Sequence, residues 1–154
     1  MTEDIITSTA NPQVRAFVHL RDKARERRQK ELFVAEGRKM LEEAPRDRIT
    51  AVYASETFIR EEGREDMLRS LPVQPVSDSV MRAMSDTPSP QGVICVLRQF
   101  HYQMEDLLAA DHPLSLVREN LQDPGNLGTI VRTAEGAGVS GILLGKGCAD
   151  IYNP

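Results

Sequence analysis

The side chains best suited to chemistry lie in one segment near the end of the sequence, residues 120–139, which reads NLQDPGNLGTIVRTAEGAGV. Residues 123–125 (Asp-Pro-Gly) predict a turn, because proline suits its second position and glycine its third. Asn126 is predicted to cap the helix that follows. The segment therefore places a turn, a helix start and one arginine, Arg132, within a short stretch of chain.

Helical spacing separates Arg132 from the apolar residues of this helix. At about 100° per residue, the apolar residues share one face that would pack against a sheet: they are Leu127, Ile130, Val131, Ala134 and Ala137. Arg132 points nearly opposite, and its neighbours one turn away are Gly128 and Gly136. Each interior glycine costs a helix roughly 1 kcal/mol relative to alanine, which indicates a face that a bulky ligand approaches. A surface arginine on a close-packed helix is the alternative, since glycines also permit helix–helix contact.

This arrangement favours a phosphate-containing partner. Backbone N–H groups at a helix N-terminus attract phosphate, while Asn126 offers an amide and Arg132 offers five N–H donors. The segment matches neither a dinucleotide-binding G-x-G-x-x-G fingerprint nor a P-loop. The histidines, His19, His101 and His112, have no carboxylate or cysteine companions at metal-ligand spacing, so we expect no metal site.

Elsewhere in the sequence, strand and helix patterns alternate, which predicts an α/β layer structure. The predicted strands are residues 32–35, 49–54, 73–76, 93–97, 114–117 and 141–145. We predict a first domain over residues 1–98, a linker over 99–113, and over 114–154 one β-α-β unit that begins a further domain. Asn11 and Pro12 predict the start of the first helix, whose charged second half, residues 21–30, is expected to project from the body or lie on its surface. A further charged helix is predicted over about 56–70.

Charge is distributed unevenly along the chain. The formal net charge is −4, yet residues 15–30 hold seven basic and two acidic side chains, so this stretch is +5 and the remainder is −9. Such a run is typical of a polyanion-binding patch or of an ordinary solvated helix face. The two cysteines, Cys95 and Cys148, indicate reduced thiols, and with no export signal or membrane-length apolar run we expect a cytoplasmic protein without membrane contact.

The segment 120–139, with DPGNLGTIVRTA at its centre, resembles the first motif of the SpoU/TrmH family of SPOUT RNA 2′-O-ribose methyltransferases. Upstream, residues 11–12 (Asn-Pro), 33–37 (Phe-Val-Ala-Glu-Gly) and 90–93 (Pro-Gln-Gly-Val) resemble the family's substrate-binding domain. The resemblance implies a three-layer α/β, ribosomal-protein-like RNA-binding domain. It also implies that the first β-α-β unit of a trefoil-knot, Rossmann-like SPOUT domain follows.

The resemblance also implies roles for individual residues. Arg132 matches the arginine that activates the ribose 2′-hydroxyl, and Asn126 matches the asparagine that holds this arginine or the substrate; Glu119 and Asn120 are weaker candidates. Because an arginine side chain loses its proton only above about pH 12, neutral arginine at pH 7 costs roughly 7 kcal/mol, and we favour an electrostatic role. The expected RNA-binding residues are Arg15, Lys23, Arg25, Arg27, Arg28, Lys30 and Arg38.

The family's cofactor is S-adenosylmethionine, and its complete members are homodimers that modify structured RNA. By the resemblance we favour ribosomal RNA over transfer RNA. The second and third family motifs, which hold the cofactor, are not in this sequence, so we expect residues 1–154 alone to be inactive and to bind none of it. The alternatives are a non-enzymatic RNA-binding protein with a methyltransferase remnant and, with less support, an unrelated α/β nucleotide-binding fragment.

Overall fold

A computed structural model describes residues 4–109 and 111–154. The chain divides into two compact units, the first reaching to residue 99 and the second covering residues 100–153. Within the described ranges, no helix is long and apolar enough to cross a membrane.

The first unit is built on a mixed sheet. Its strands are β1 (Leu32–Glu36), β2 (Ile49–Ser55), β3 (Val73–Val76) and β4 (Val93–Arg98), in the order β1-β4-β2-β3. β4 runs antiparallel to β1 and β2, whereas β2 and β3 are parallel. These strands confirm the four predicted for this part of the chain. β4 is central and every residue from Val93 to Leu97 is buried, which agrees with its continuous apolar sequence.

Helices cover both faces of this sheet. The described helices of the unit are α1 (Pro12–Asp22), α2 (Ala24–Lys30), α3 (Arg38–Glu43), α4 (Glu56–Arg60), α5 (Arg64–Leu68) and α6 (Asp78–Met84). Phe17 of α1 and Met81 of α6 join the apolar cluster on one face. Leu41 of α3 and Phe58 of α4 join the cluster on the opposite face. The predicted three-layer α/β architecture is therefore confirmed.

Helix boundaries differ from the predictions in two places. Asn11 caps α1 as predicted, accepting a hydrogen bond from the Gln13 N–H at 2.8 Å. The charged stretch after Arg21, however, is a separate helix, because Lys23 adopts an extended conformation and ends α1. The helix predicted over 56–70 is likewise two short helices, since Gly63 has φ 78° and interrupts it.

The second unit contains α7 (Met104–Leu108), β5 (Ser115–Arg118), α8 (Pro124–Gly136) and β6 (Gly141–Leu144). β5 and β6 pair in parallel, with α8 connecting them, which confirms the predicted β-α-β unit. Residues 100–113, most of the predicted linker, fall within the second compact unit. In this unit the Leu107 side chain lies directly over Gly141, where a Cβ atom would not fit.

Candidate functional site

The helix that carries the candidate residues begins earlier than predicted. Asp123 caps α8, and its Oδ1 accepts a hydrogen bond from the Asn126 N–H at 2.6 Å. Pro124 occupies the first helical turn, where its missing N–H costs nothing. The prediction that Asn126 is the N-cap was therefore wrong. Asn126 lies in the first turn of α8, and its exposed side chain is free of the capping role.

Arg132 is exposed on α8, and its guanidinium reaches back over the preceding turn. Its Nη1 would lie 3.6 Å from a Cβ atom at Gly128, and its Nη2 lies 3.4 Å from the Thr129 hydroxyl. A Cβ atom at Gly136 would meet nothing within 4 Å. No packed neighbour among the described residues therefore requires glycine at either position, and the face around Arg132 is open.

The opposite face of α8 is only partly covered. Leu127 and Ala134 are buried as predicted, and Ile130 is half-buried. Val131 and Ala137, also predicted to face the sheet, are exposed. Ala137 is the C-cap of α8 and lies beyond its last helical residue, so the covered face is confined to Leu127, Ile130 and Ala134.

Arg132 lies at the edge of a cavity of about 1100 Å³ within the second unit. Gly128, Val131 and Glu135 of α8 line it together with Arg132. The rest of the lining is largely apolar and includes residues 142–144 of β6. A cation beside an apolar wall suits a ligand that carries both a negative group and a flat or aliphatic part. A nucleotide has this combination.

Most of the predicted RNA-contacting side chains are on the surface of the first unit: Arg15, Lys23, Arg25, Arg28, Lys30 and Arg38 are exposed. Two of these are in ion pairs, Lys30 with Glu26 at 3.3 Å and Arg38 with Glu42 at 2.7 Å. Arg27 is only 1% exposed, so its prediction as an RNA contact is corrected. Helix geometry turns its side chain inward, where a phosphate cannot reach it.

Two residues in the motif-like stretches upstream have structural roles that sequence reasoning missed. The Glu36 carboxylate accepts hydrogen bonds from the Ser85 hydroxyl at 2.5 Å, the Asp86 N–H at 3.1 Å and the Thr87 hydroxyl at 2.9 Å. Gln91 Oε1 accepts one from the Arg38 N–H at 2.8 Å, at the start of α3. The sequence signal that could have indicated these roles is a polar residue directly before a glycine, as at 36–37 and 91–92, where the structure gives both glycines a positive φ.

Comparison with known proteins identifies both units. The first, a three-layer α/β unit that carries the basic stretch 15–30, matches the family model described as the MRM3-like substrate binding domain, over residues 11–95. The second, with its arginine-bearing β-α-β unit, matches the model described as the SpoU rRNA Methylase family, over residues 113–154. The chain belongs to the SpoU family of rRNA methylases, which confirms the family resemblance noted from the sequence.

Individual relatives of the chain support the same family membership. The chain is 31% identical over 150 residues to the 23S rRNA (guanosine(2553)-2′-O)-methyltransferase RlmP of Bacillus subtilis, covering 96% of this chain and 57% of that protein. It is 40% identical over 93 residues to the human mitochondrial rRNA methyltransferase 3, covering 58% of this chain and 22% of that protein. The crystal structure of an AdoMet-bound rRNA methyltransferase from Sinorhizobium meliloti has a TM-score of 0.79 at 28% identity, covering 97% of this chain and 57% of that one. The chain thus spans somewhat more than half the length of these bacterial relatives.

The strands of the second unit are only partly covered. A small-molecule site usually buries most of its ligand. Along β5 every residue is exposed or half-buried, and along β6 every residue is half-buried. β5 and β6 by themselves therefore do not enclose a small-molecule ligand.

Proposed function

We propose that this protein takes part in S-adenosylmethionine-dependent 2′-O-ribose methylation of RNA, with ribosomal RNA as the substrate. The family membership and the activity in the name of the Bacillus subtilis relative support this proposal. The observation that carries it is the position of Arg132, with its guanidinium over Gly128 at the edge of the second unit's cavity. S-adenosylmethionine supplies the methyl group when it is bound.

In this proposal Arg132 binds the RNA backbone beside the reacting ribose. Its N–H donors hold a phosphate oxygen and stabilise the negative charge that develops on the 2′-oxygen as its proton passes to solvent water and the methyl group is transferred to it. A neutral arginine acting as the proton acceptor would cost roughly 7 kcal/mol at pH 7, so the charged form is the productive one. Asn126, in the first turn of the same helix, presents its amide to the substrate.

The first unit supplies RNA affinity in this proposal. Arg15, Lys23, Arg25, Arg28 and Lys30 lie in or next to α1 and α2 and are all exposed, and Arg38 is exposed at the start of α3. Cations that neutralise phosphates release counterions, so RNA affinity should fall as salt rises. The opposite outcome, affinity independent of salt, would exclude a phosphate-binding role for these side chains.

The decisive experiment compares Arg132→Lys and Arg132→Gln in the gene product, with tritiated S-adenosylmethionine and ribosomal RNA as substrates. Loss of an electrostatic stabiliser of this kind lowers a rate by roughly 100- to 1000-fold. We expect Arg132→Gln to lose this much, and Arg132→Lys to retain part of the rate because it keeps the charge but not the forked geometry. Arg69→Gln, on the first unit, is the matched control. Full activity in Arg132→Gln would remove this residue from the reaction.

For residues 1–154 assayed alone, we propose RNA binding without turnover. No residue of β5 or β6 is buried in this segment, so these strands do not enclose a cofactor. This keeps RNA binding without methylation as the alternative function of the segment. Calorimetric titration of residues 1–154 with S-adenosylmethionine should detect no tight binding, and a micromolar or tighter complex would contradict the proposal.

We propose further that the catalytically competent protein is a cytoplasmic homodimer. Family membership supports the dimer, and the free thiols of Cys95 and Cys148 suit a reducing compartment. Light scattering of the gene product measures its mass in solution, and cell fractionation measures its location. A monomeric mass with full activity would contradict the dimer.

A further inference from the structure

Helix α2 is unusual because it has no large apolar side chain of its own to pack on the core. Its sequence is ARERRQK, seven residues without a large apolar side chain, and its only buried residue is Arg27. A helix of this length is not stable in isolation, and most helices are held by an apolar face packed on the core. The position of α2 must therefore depend on polar anchors.

Arg27 provides the first anchor. Its Nη1 donates hydrogen bonds to the carbonyl oxygens of Leu20, at 3.1 Å, and Arg21. Both carbonyls belong to the last turn of α1, where the helix itself supplies no donors. One guanidinium thus caps α1 and fixes the angle at which α2 leaves it.

Gln99, which follows β4, provides the second anchor. Its Nε2 donates to the Arg27 carbonyl oxygen at 3.2 Å and to the Leu32 carbonyl oxygen at 3.2 Å. Its backbone N–H donates to the Glu31 carbonyl oxygen at 2.8 Å. Gln99 is 8% exposed and uncharged, so it ties α2 to the end of the sheet without being able to bind a phosphate.

The anchored face determines which side chains point outward. At about 100° per residue, Arg25 and Arg28 lie about 60° apart on α2, while Arg27 lies about 160° from Arg25 and about 100° from Arg28. With Arg27 held inside, Arg25 and Arg28 project into solvent, and both are exposed.

We infer that Arg27, together with Gln99, is a positioning residue that holds α2 so that Arg25 and Arg28 face the phosphates of an RNA strand. This inference rests on the proposed function. Arg27 contributes to RNA binding by holding its neighbours in position and not by contacting RNA itself. The basic stretch 15–30 thus contains side chains that bind RNA and one side chain, Arg27, that positions them.

The experiment measures the binding of a fluorescein-labelled RNA hairpin to the 154-residue chain across a range of salt concentrations. We expect Arg25→Gln/Arg28→Gln to lower the salt slope by roughly 1.4 to 1.8, since each lost phosphate contact removes about 0.7 to 0.9. Gln99→Leu, which removes no charge, should lower the slope by a similar amount and move the amide NMR shifts of α2 away from helical values. Arg69→Gln, which removes a 72%-exposed arginine side chain elsewhere in the first unit, should leave the slope unchanged.

Combining the variants separates positioning from contact. In a background that also lacks the third exposed cation of α2, Arg25→Gln/Arg28→Gln/Lys30→Gln, we expect Arg27→Gln and Gln99→Leu to cause no further loss, because the side chains they position are already gone. An additive loss with Arg27→Gln would show direct phosphate contact and overturn the inference. A wild-type slope in Gln99→Leu, with only a lower melting temperature, would show a purely structural role and also overturn it. The proposed function fails by a different result, namely no binding of the hairpin by the unaltered chain.

Discussion

Replacing Gly128 by alanine should make the protein more stable and less active. Gly128 lies in the interior of α8, where alanine is favoured over glycine by about 0.8–1.0 kcal/mol. The added Cβ atom would lie 3.6 Å from Arg132 Nη1, an ordinary van der Waals distance, so no steric cost offsets this gain. Urea denaturation should therefore give a free energy of unfolding of the second unit that is higher by nearly 1 kcal/mol. Gly136→Ala, at the last residue of the same helix, should give a smaller gain.

The activity of the same variant tests why the glycine is there. If an RNA backbone lies against this face, the new methyl group crowds it, and overpacking of this kind costs about 1–3 kcal/mol, or roughly a 5- to 150-fold loss of rate. Methyl transfer to ribosomal RNA by the Gly128→Ala gene product should fall within that range. A rate equal to wild type would refute the idea that Gly128 leaves room for the substrate, and a lower stability would show that the helix packs there after all.

Three further predictions concern the first unit. Gly92→Ala should destabilise the first unit by several kcal/mol in urea denaturation, because Gly92 has φ +80° and a Cβ atom would lie 2.8 Å from the Ser55 Oγ. Unchanged stability would contradict the observed turn. Burial raises the pKa of the Cys95 thiol to about 11, so iodoacetamide at pH 8 should label Cys148 and spare Cys95. The Cys95 contribution to stability should be lost as pH rises from about 9 to about 11. Labelling of both thiols at equal rates in the folded protein would count against this. The Thr57 hydroxyl donates a hydrogen bond to Asp78 at 2.8 Å and lowers the pKa of that carboxyl, so the stabilising effect of this hydrogen bond is lost as pH falls. Thr57→Val should raise the Asp78 pKa in an NMR titration. An unchanged pKa would exclude the hydroxyl as the cause.

Much of the fold could be predicted from local patterns. Alternating apolar runs and turn residues predicted the strands of both units, and an Asn-Pro pair predicted the start of α1. Errors arose where two signals competed: Asp123 and Asn126 are both good capping residues, and sequence alone did not show that Pro124 would begin the helix. A single glycine, Gly63, was sufficient to divide a helix that had been predicted as continuous.

The candidate site was likewise predictable from the sequence only in part. The spacing of Gly128 and Arg132 predicted an open face, and the structure places the guanidinium there. Whether Val131 would be covered was not predictable, because burial depends on how far a two-stranded sheet extends beneath the helix.

The sequence by itself determined the family, the order of strands and helices, and the residue types in the segment 120–139, because these depend on near neighbours along the chain. Only the tertiary structure decided which members of the basic run are available to RNA. Arg25, Arg27 and Arg28 are alike as charges in the sequence, but Arg27 is buried against the carbonyl groups of α1 and Gln99, a residue 72 positions further along the chain, bonds to its backbone. Burial of one charge and exposure of its neighbours require contacts between distant segments, and those exist only once the chain has folded.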